Sequence, residues 1–107
     1  MDIKELESLQ QNVDKISWQL YGNDICEAQN ELGTIVQKVN AVYLSYINSA
    51  PVYAERGIDI PKEILLSQMK NLLEAIEERD ILMLADTLQY EIKEGLLFFI
   101  DVEKEME

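Results

Sequence analysis

The sequence predicts an all-α protein that folds as an antiparallel four-helix bundle. Four segments repeat apolar residues at intervals of three and four, which places those side chains on one face of a helix. Gly22, Pro51 and Gly57 lie between these segments and Pro61 begins the third of them, where helices stop and start. No segment alternates apolar and polar residues in the way that is typical of a strand. A bundle built from two helical hairpins accounts for all three observations.

The first hairpin is predicted from helices at about 3–21 and 24–49. Each helix begins with an acidic pair at the spacing of a capping box, in which side-chain oxygens satisfy free backbone N–H groups. The two pairs are Asp2 with Glu5 and Asp24 with Glu27. The short turn between the helices predicts that they are antiparallel neighbours.

The second hairpin is predicted from helices at about 61–78 and 80–106. Pro61 suits a first helical turn, and Asp80 is placed to cap the last helix. The apolar stripe of the last helix is the longest in the chain: Ile81, Ala85, Leu88, Ile92, Gly95, Phe99, Val102 and Met106. Residues 50–60 form the longer connection between the hairpins.

Length and composition indicate one acidic domain over residues 1–107. A chain of 107 residues supports a single core, and its net charge of −12 disfavours nucleic acid and anionic membranes, which need clustered Lys and Arg. Cys26 is the only cysteine, so no internal disulfide forms. The first residues lack the basic stretch and apolar core of a secretory signal. We therefore expect a cytoplasmic protein that binds neither nucleic acid nor membrane.

The residue types argue against an enzyme. The chain has no His, no second Cys and no glycine-rich phosphate loop, so the common nucleophile, zinc and nucleotide sites are missing. Glu91 and Glu94 form a carboxylate pair that binds a hard cation only if further oxygen ligands converge on it. We expect no catalytic residue, no metal and no cofactor.

Apolar residues that the bundle does not need are the candidates for a protein interface. Residues 96–100 are five consecutive apolar residues, which must surround the whole helix. With Phe99 in the core, Leu97 points outward on the face of Met83. Leu96 lies close to the stripe, and Phe98 and Ile100 lie on its two flanks. On the first helix, Trp18 lies opposite the apolar stripe and is either exposed or covered by residues 50–60. The candidate interface residues are Trp18, Met83, Leu97, Phe98 and Ile100.

Asp86 and Tyr90 are candidates for polar recognition because they lie one turn apart beside the apolar stripe. They also fall within a short motif at residues 75–91, an acidic turn followed by Asp80, Leu84-Ala85-Asp86, Leu88 and Tyr90-Glu91. This motif resembles uncharacterised short helical proteins of Firmicute bacteria, some of which lie near flagellar genes. The resemblance covers residues 75–91 only, and implies a non-catalytic helical protein with no known functional residues to transfer.

These observations predict a non-enzymatic helical protein–protein interaction module, an adaptor, chaperone-like protein or regulator. Its partner is a second copy in a homodimer or another protein. One alternative is a helical bundle that binds a small ligand or hard cation in a cavity where Gly33 and Gly95 thin the packing. The other is a tetratricopeptide-like helical hairpin protein, although two hairpins are few for a solenoid.

Overall fold

The computed structural model describes residues 2–22 and 24–107, and the regular structure of this part of the chain is entirely helical. The all-α prediction is confirmed. Within the described residues, no helix is long and apolar enough to cross a membrane. The elements in chain order are α1 (Ile3–Tyr21), α2 (Ile25–Asn48), α3 (Ala50–Glu55), α4 (Lys62–Glu78), α5 (Ile81–Thr87), a π-helical segment (Leu88–Ile92) and α6 (Lys93–Met106).

Helix α1 is the centre of the packing. It contacts α2, α5, the π-helical segment and α6. Helix α4 packs mainly against α5 and also contacts α2 and the π-helical segment. The apolar stripes of the sequence supply the buried core, with Leu6, Val13, Val39, Leu72 and Phe99 fully buried among them.

Side-chain capping occurs at two of the predicted helix starts. Asp2 Oδ1 accepts from the backbone N–H of Lys4 at 3.1 Å, and Asp80 Oδ1 accepts from that of Met83 at 3.1 Å. Asp24 makes no such bond, so the second predicted capping box is wrong. Helix α2 depends instead on the apolar face that it buries.

The segment predicted as a connection, residues 50–60, contains a helix that the sequence did not predict. Residues Ala50–Glu55 form α3, with Pro51 in the first turn, where its missing N–H has no helical partner to lose. Gly57 follows with a φ of 79°, a left-handed conformation that favours glycine. The connection therefore has a fixed shape of its own.

Tyrosine side chains fix α3 to the end of the helices beneath it. The Tyr53 ring stacks on the Tyr46 ring with centroids 5.5 Å apart. Both hydroxyls donate to Glu103 Oε1, at 3.1 Å from Tyr53 and 2.5 Å from Tyr46. Trp18 is exposed, so residues 50–60 do not cover it.

The predicted helix over 80–106 is interrupted by the π-helical segment at Leu88–Ile92. A π-helical turn accommodates one extra residue, so side chains beyond it are rotated by roughly 100° relative to a regular helix. Met83 precedes this segment in the chain and Leu97 follows it. They therefore do not share the outward face that a regular helix predicts.

Candidate functional site

An exposed aromatic surface lies where the end of α1 meets α5 and the π-helical segment. Trp18 is 59% exposed because α1 turns its neighbours Ser17 and Leu20 into the core. Its ring leans on that of Tyr21, with centroids 5.6 Å apart. We call this region the Trp18–Tyr90 surface, and define it by Trp18, Tyr21, Leu82, Met83, Asp86 and Tyr90.

Tyr21 joins the two helices that form this surface. Its hydroxyl donates a short hydrogen bond to Asp86 Oδ1. Burial raises the pKa of Tyr21 to about 12, and the hydrogen bond and the negative charge of Asp86 add to the increase. Tyr21 therefore remains a protonated donor near neutral pH, and Asp86 is held facing α1.

A groove of about 570 Å³ runs along the other side of the surface, towards α4. Met83, Asp86 and Tyr90 line it from α5 and the π-helical segment. Across the groove, Asn71 Nδ2 donates to Glu91 Oε1 at 2.8 Å, which ties α4 to the π-helical segment. Asp80 also lines the groove, whereas no Lys or Arg among the described residues does, so the electrostatic potential of the groove is negative.

A polar network between α1 and the π-helical segment fixes the orientation of this surface. The Gln89 amide nitrogen donates to Ser17 Oγ at 2.8 Å and to Asp14 Oδ1 at 3.0 Å. Its oxygen accepts from Lys93 Nζ at 3.3 Å, and the same ammonium lies 3.0 Å from Asp14 Oδ1. The Ser17 hydroxyl itself donates to the backbone carbonyl oxygen of Asp14 at 2.7 Å. Such π-helical turns occur frequently at functional sites.

The structure brings together four of the seven predicted site residues. Trp18, Met83, Asp86 and Tyr90 lie on the Trp18–Tyr90 surface. The remaining three, Leu97, Phe98 and Ile100, belong to α6, and none of them lines the groove.

The three α6 residues differ in their exposure. Ile100 is only 5% exposed, so its prediction as an interface residue is wrong, because the flank on which it lies is covered within the chain. Phe98 is half-buried with its ring centroid 5.9 Å from that of Phe99. Leu97 is 36% exposed.

Sequence reasoning missed Tyr21 and Leu82. Tyr21 follows Trp18 by three residues, a spacing that places both on one flank of α1 and was available as a signal. Leu82 is 64% exposed, between the buried positions of α5, but a single exposed Leu carries no signal in a sequence.

The two glycines proposed to line a cavity do not do so. The Tyr43 hydroxyl fills the space above Gly95, where it donates to Gln68 Oε1 at 2.8 Å, and Gly33 faces open space. Within residues 2–22 and 24–107, no three acidic or cysteine side chains converge as a metal site would require. Glu91, one of the predicted carboxylate pair, accepts the hydrogen bond from Asn71.

We predict that folding stability decreases above about pH 10. Burial raises the pKa of Tyr43 and of Tyr46, and Glu103 adds to the effect on Tyr46, whereas tyrosines of the unfolded chain ionise near pH 10. The unfolded chain therefore binds fewer protons in this range, and the free energy of unfolding decreases with pH up to and beyond about 12, the pKa of Tyr21.

Urea denaturation between about pH 8 and 11 measures this loss. Tyr46→Phe removes one of the linked protons and should make the decrease shallower, with Tyr90→Phe at a 70% exposed side chain as the matched control. If the free energy of unfolding decreased equally steeply with pH in Tyr46→Phe and in the wild type, the raised pKa of Tyr46 would not be a cause of the decrease.

The fold and this surface define an all-α protein in which α1 and the π-helical segment each present an exposed aromatic residue, Trp18 and Tyr90. The chain belongs to a family described as a domain of unknown function, DUF8042, whose model matches residues 3–97. This match covers the whole Trp18–Tyr90 surface. Neither the curated proteins nor the solved structures contain a match to the chain.

Proposed function

We propose that this chain is a non-enzymatic helical protein–protein interaction module of the cytoplasm, with its long helices arranged as an antiparallel four-helix bundle. The Trp18–Tyr90 surface binds a partner protein, and the chain also self-associates as a homodimer. In this role the bundle is a rigid support, and the partner docks as a helix or extended segment against the exposed aromatic side chains.

The exposed aromatic residues of the Trp18–Tyr90 surface carry this proposal. Trp18, Leu82 and Tyr90 each leave more than half of their side-chain surface in water. Trp and Tyr are the residues that most often dominate binding energy in protein interfaces, because they bury a large area at a small entropic cost. A rigid support adds to this advantage, since Tyr21 and Gln89 hold the surface in place before a partner arrives.

The charges of the groove indicate the chemistry of the partner. Asp80, Asp86 and Glu91 line it, and no Lys or Arg in residues 2–22 and 24–107 lies beside them in the lining. A second copy placed face to face at this groove would set carboxylates against carboxylates, which is unfavourable. We therefore expect the partner here to be a different protein, with Lys or Arg beside the apolar side chains that contact Trp18 and Tyr90.

Photo-crosslinking tests the proposal in cells that naturally produce the protein. A photoreactive phenylalanine analogue in place of Tyr90 should form an adduct with a second protein. The same analogue in place of Val52, exposed on α3, is the matched control and should not form that adduct. Absence of an adduct at position 90, or the same adduct from both positions, would contradict the proposal.

A further inference from the structure

Helix α4 carries a second apolar stripe that the fold leaves uncovered. Leu66 and Leu73 are 50% and 44% exposed and lie two turns apart, which places them on one face. Met69 lies between them and is half-buried. The stripe is separate from the Trp18–Tyr90 surface, since none of these three residues lines that groove.

A positively charged residue lies just before the stripe and a negatively charged residue lies just after it. Lys62 is one turn before Leu66, and Glu77 is one turn after Leu73, at the same spacing of four residues. Both side chains are exposed, and neither forms an ion pair within the part of the chain that the structure describes. Lys70, near the middle, is already paired with Glu74 at 4.0 Å.

The pattern of apolar and charged residues on α4 is complementary to the same pattern on a second α4 that runs in the opposite direction. If two α4 helices meet antiparallel, with the two-fold axis between Met69 and Lys70, each Leu66 faces a Leu73. In the same register each Lys62 faces a Glu77, about 6 Å further along the axis. A two-fold interface requires such self-complementarity, because the same patch must serve both partners.

We propose that α4 is the self-association surface of this protein, and that a second copy packs antiparallel against Leu66, Met69 and Leu73 with two Lys62–Glu77 pairs across the interface. This inference rests on the self-association included in the proposed function, and it is independent of partner binding at the Trp18–Tyr90 surface. The charge pattern selects a second copy as the occupant, since it supplies the required opposite charge at both ends of the stripe.

A modest affinity is expected from the size of the stripe. Helix α4 has 17 residues, so it is about 25 Å long and offers less than the roughly 800 Å² per partner of a standard interface. Such an interface is typical of a dissociation constant in the micromolar range rather than the nanomolar range.

Sedimentation equilibrium of charge variants tests the interface and its register. Lys62→Glu and Glu77→Lys, each alone, place like charges at both ends and should weaken the dimer about tenfold. The Lys62→Glu/Glu77→Lys double variant restores opposite charges and should dimerise like the wild type. An equimolar mixture of the two single variants should also associate, as a heterodimer. Circular dichroism verifies that these exposed substitutions leave the helical fold intact.

The outcomes separate this inference from the proposed function. A wild-type dimer that is insensitive to both charge variants and to Leu73→Glu overturns the α4 surface but leaves self-association in place. A wild type that is monomeric at about 1 mM overturns both the α4 surface and self-association. Loss of association in the single variants without recovery in the double variant overturns the antiparallel register.

Discussion

Gly95→Ala is expected to lower the free energy of unfolding by about 2 kcal/mol. A Cβ at this position would overlap the Tyr43 hydroxyl and lie 2.9 Å from Cζ of the same ring. Tyr43 is fully buried, and its ring packs edge-on against Phe99 with centroids 5.2 Å apart, so the ring cannot move aside cheaply. The substitution therefore strains the backbone of α6 or breaks the hydrogen bond from Tyr43 to Gln68.

Gly33→Ala is the matched control, since Gly33 is also within a helix but its Cβ would meet no atom within 4 Å. It should raise the free energy of unfolding by about 0.5–1 kcal/mol, because alanine loses less backbone entropy than glycine in a helix. Urea denaturation of both variants measures a difference of about 3 kcal/mol. Equal effects of the two substitutions would show that the Tyr43 hydroxyl does not fill the space above Gly95.

Hydrophobic periodicity predicted the long helices because most of their stability comes from one buried face. The helix predicted over 61–78 spans Lys62–Glu78 in the structure. The helix predicted over 80–106 corresponds to Ile81–Met106, with the π-helical segment inside it. Fully buried residues such as Leu6 and Leu72 lie on the predicted stripes. Local spacing alone contains this information.

Helix α3 and the π-helical segment, which the spacing did not predict, depend on contacts between residues distant in sequence. Helix α3 is held by Tyr53, whose hydrogen bond to Glu103 spans 50 residues of chain. The π-helical segment is held by Gln89, which reaches 72 residues back to Ser17. No local pattern marks either feature, because each depends on which helices become neighbours.

The candidate site was predicted only in part, because it too depends on contacts between residues distant in sequence. Trp18 was recognisable because its position on α1 opposes the apolar stripe, and the structure leaves it exposed. Ile100 was misassigned because the number of neighbours around α6 is a tertiary property. The link from Tyr21 to Asp86, which draws the surface together, also joins distant parts of the chain.

Trp18→Ala is expected to weaken partner binding by at least about 30-fold, the loss typical of a Trp at the centre of an interface. Its effect on stability should be small, within about 0.5 kcal/mol, because the side chain is 59% exposed and contributes little to the core. Binding and folding are therefore separable at this residue. Val52→Ala, at a similarly exposed side chain on α3, is the matched control.

The affinity of the partner captured at position 90 for these two variants tests the central claim most directly. Trp18 is the only tryptophan, so its own fluorescence should shift to shorter wavelength as the wild-type chain binds and its ring leaves water. Calorimetric titration should show a loss of at least about 30-fold for Trp18→Ala and wild-type affinity for Val52→Ala. Equal affinities of Trp18→Ala and wild type, with no shift in emission, would contradict the assignment of the Trp18–Tyr90 surface as the docking site.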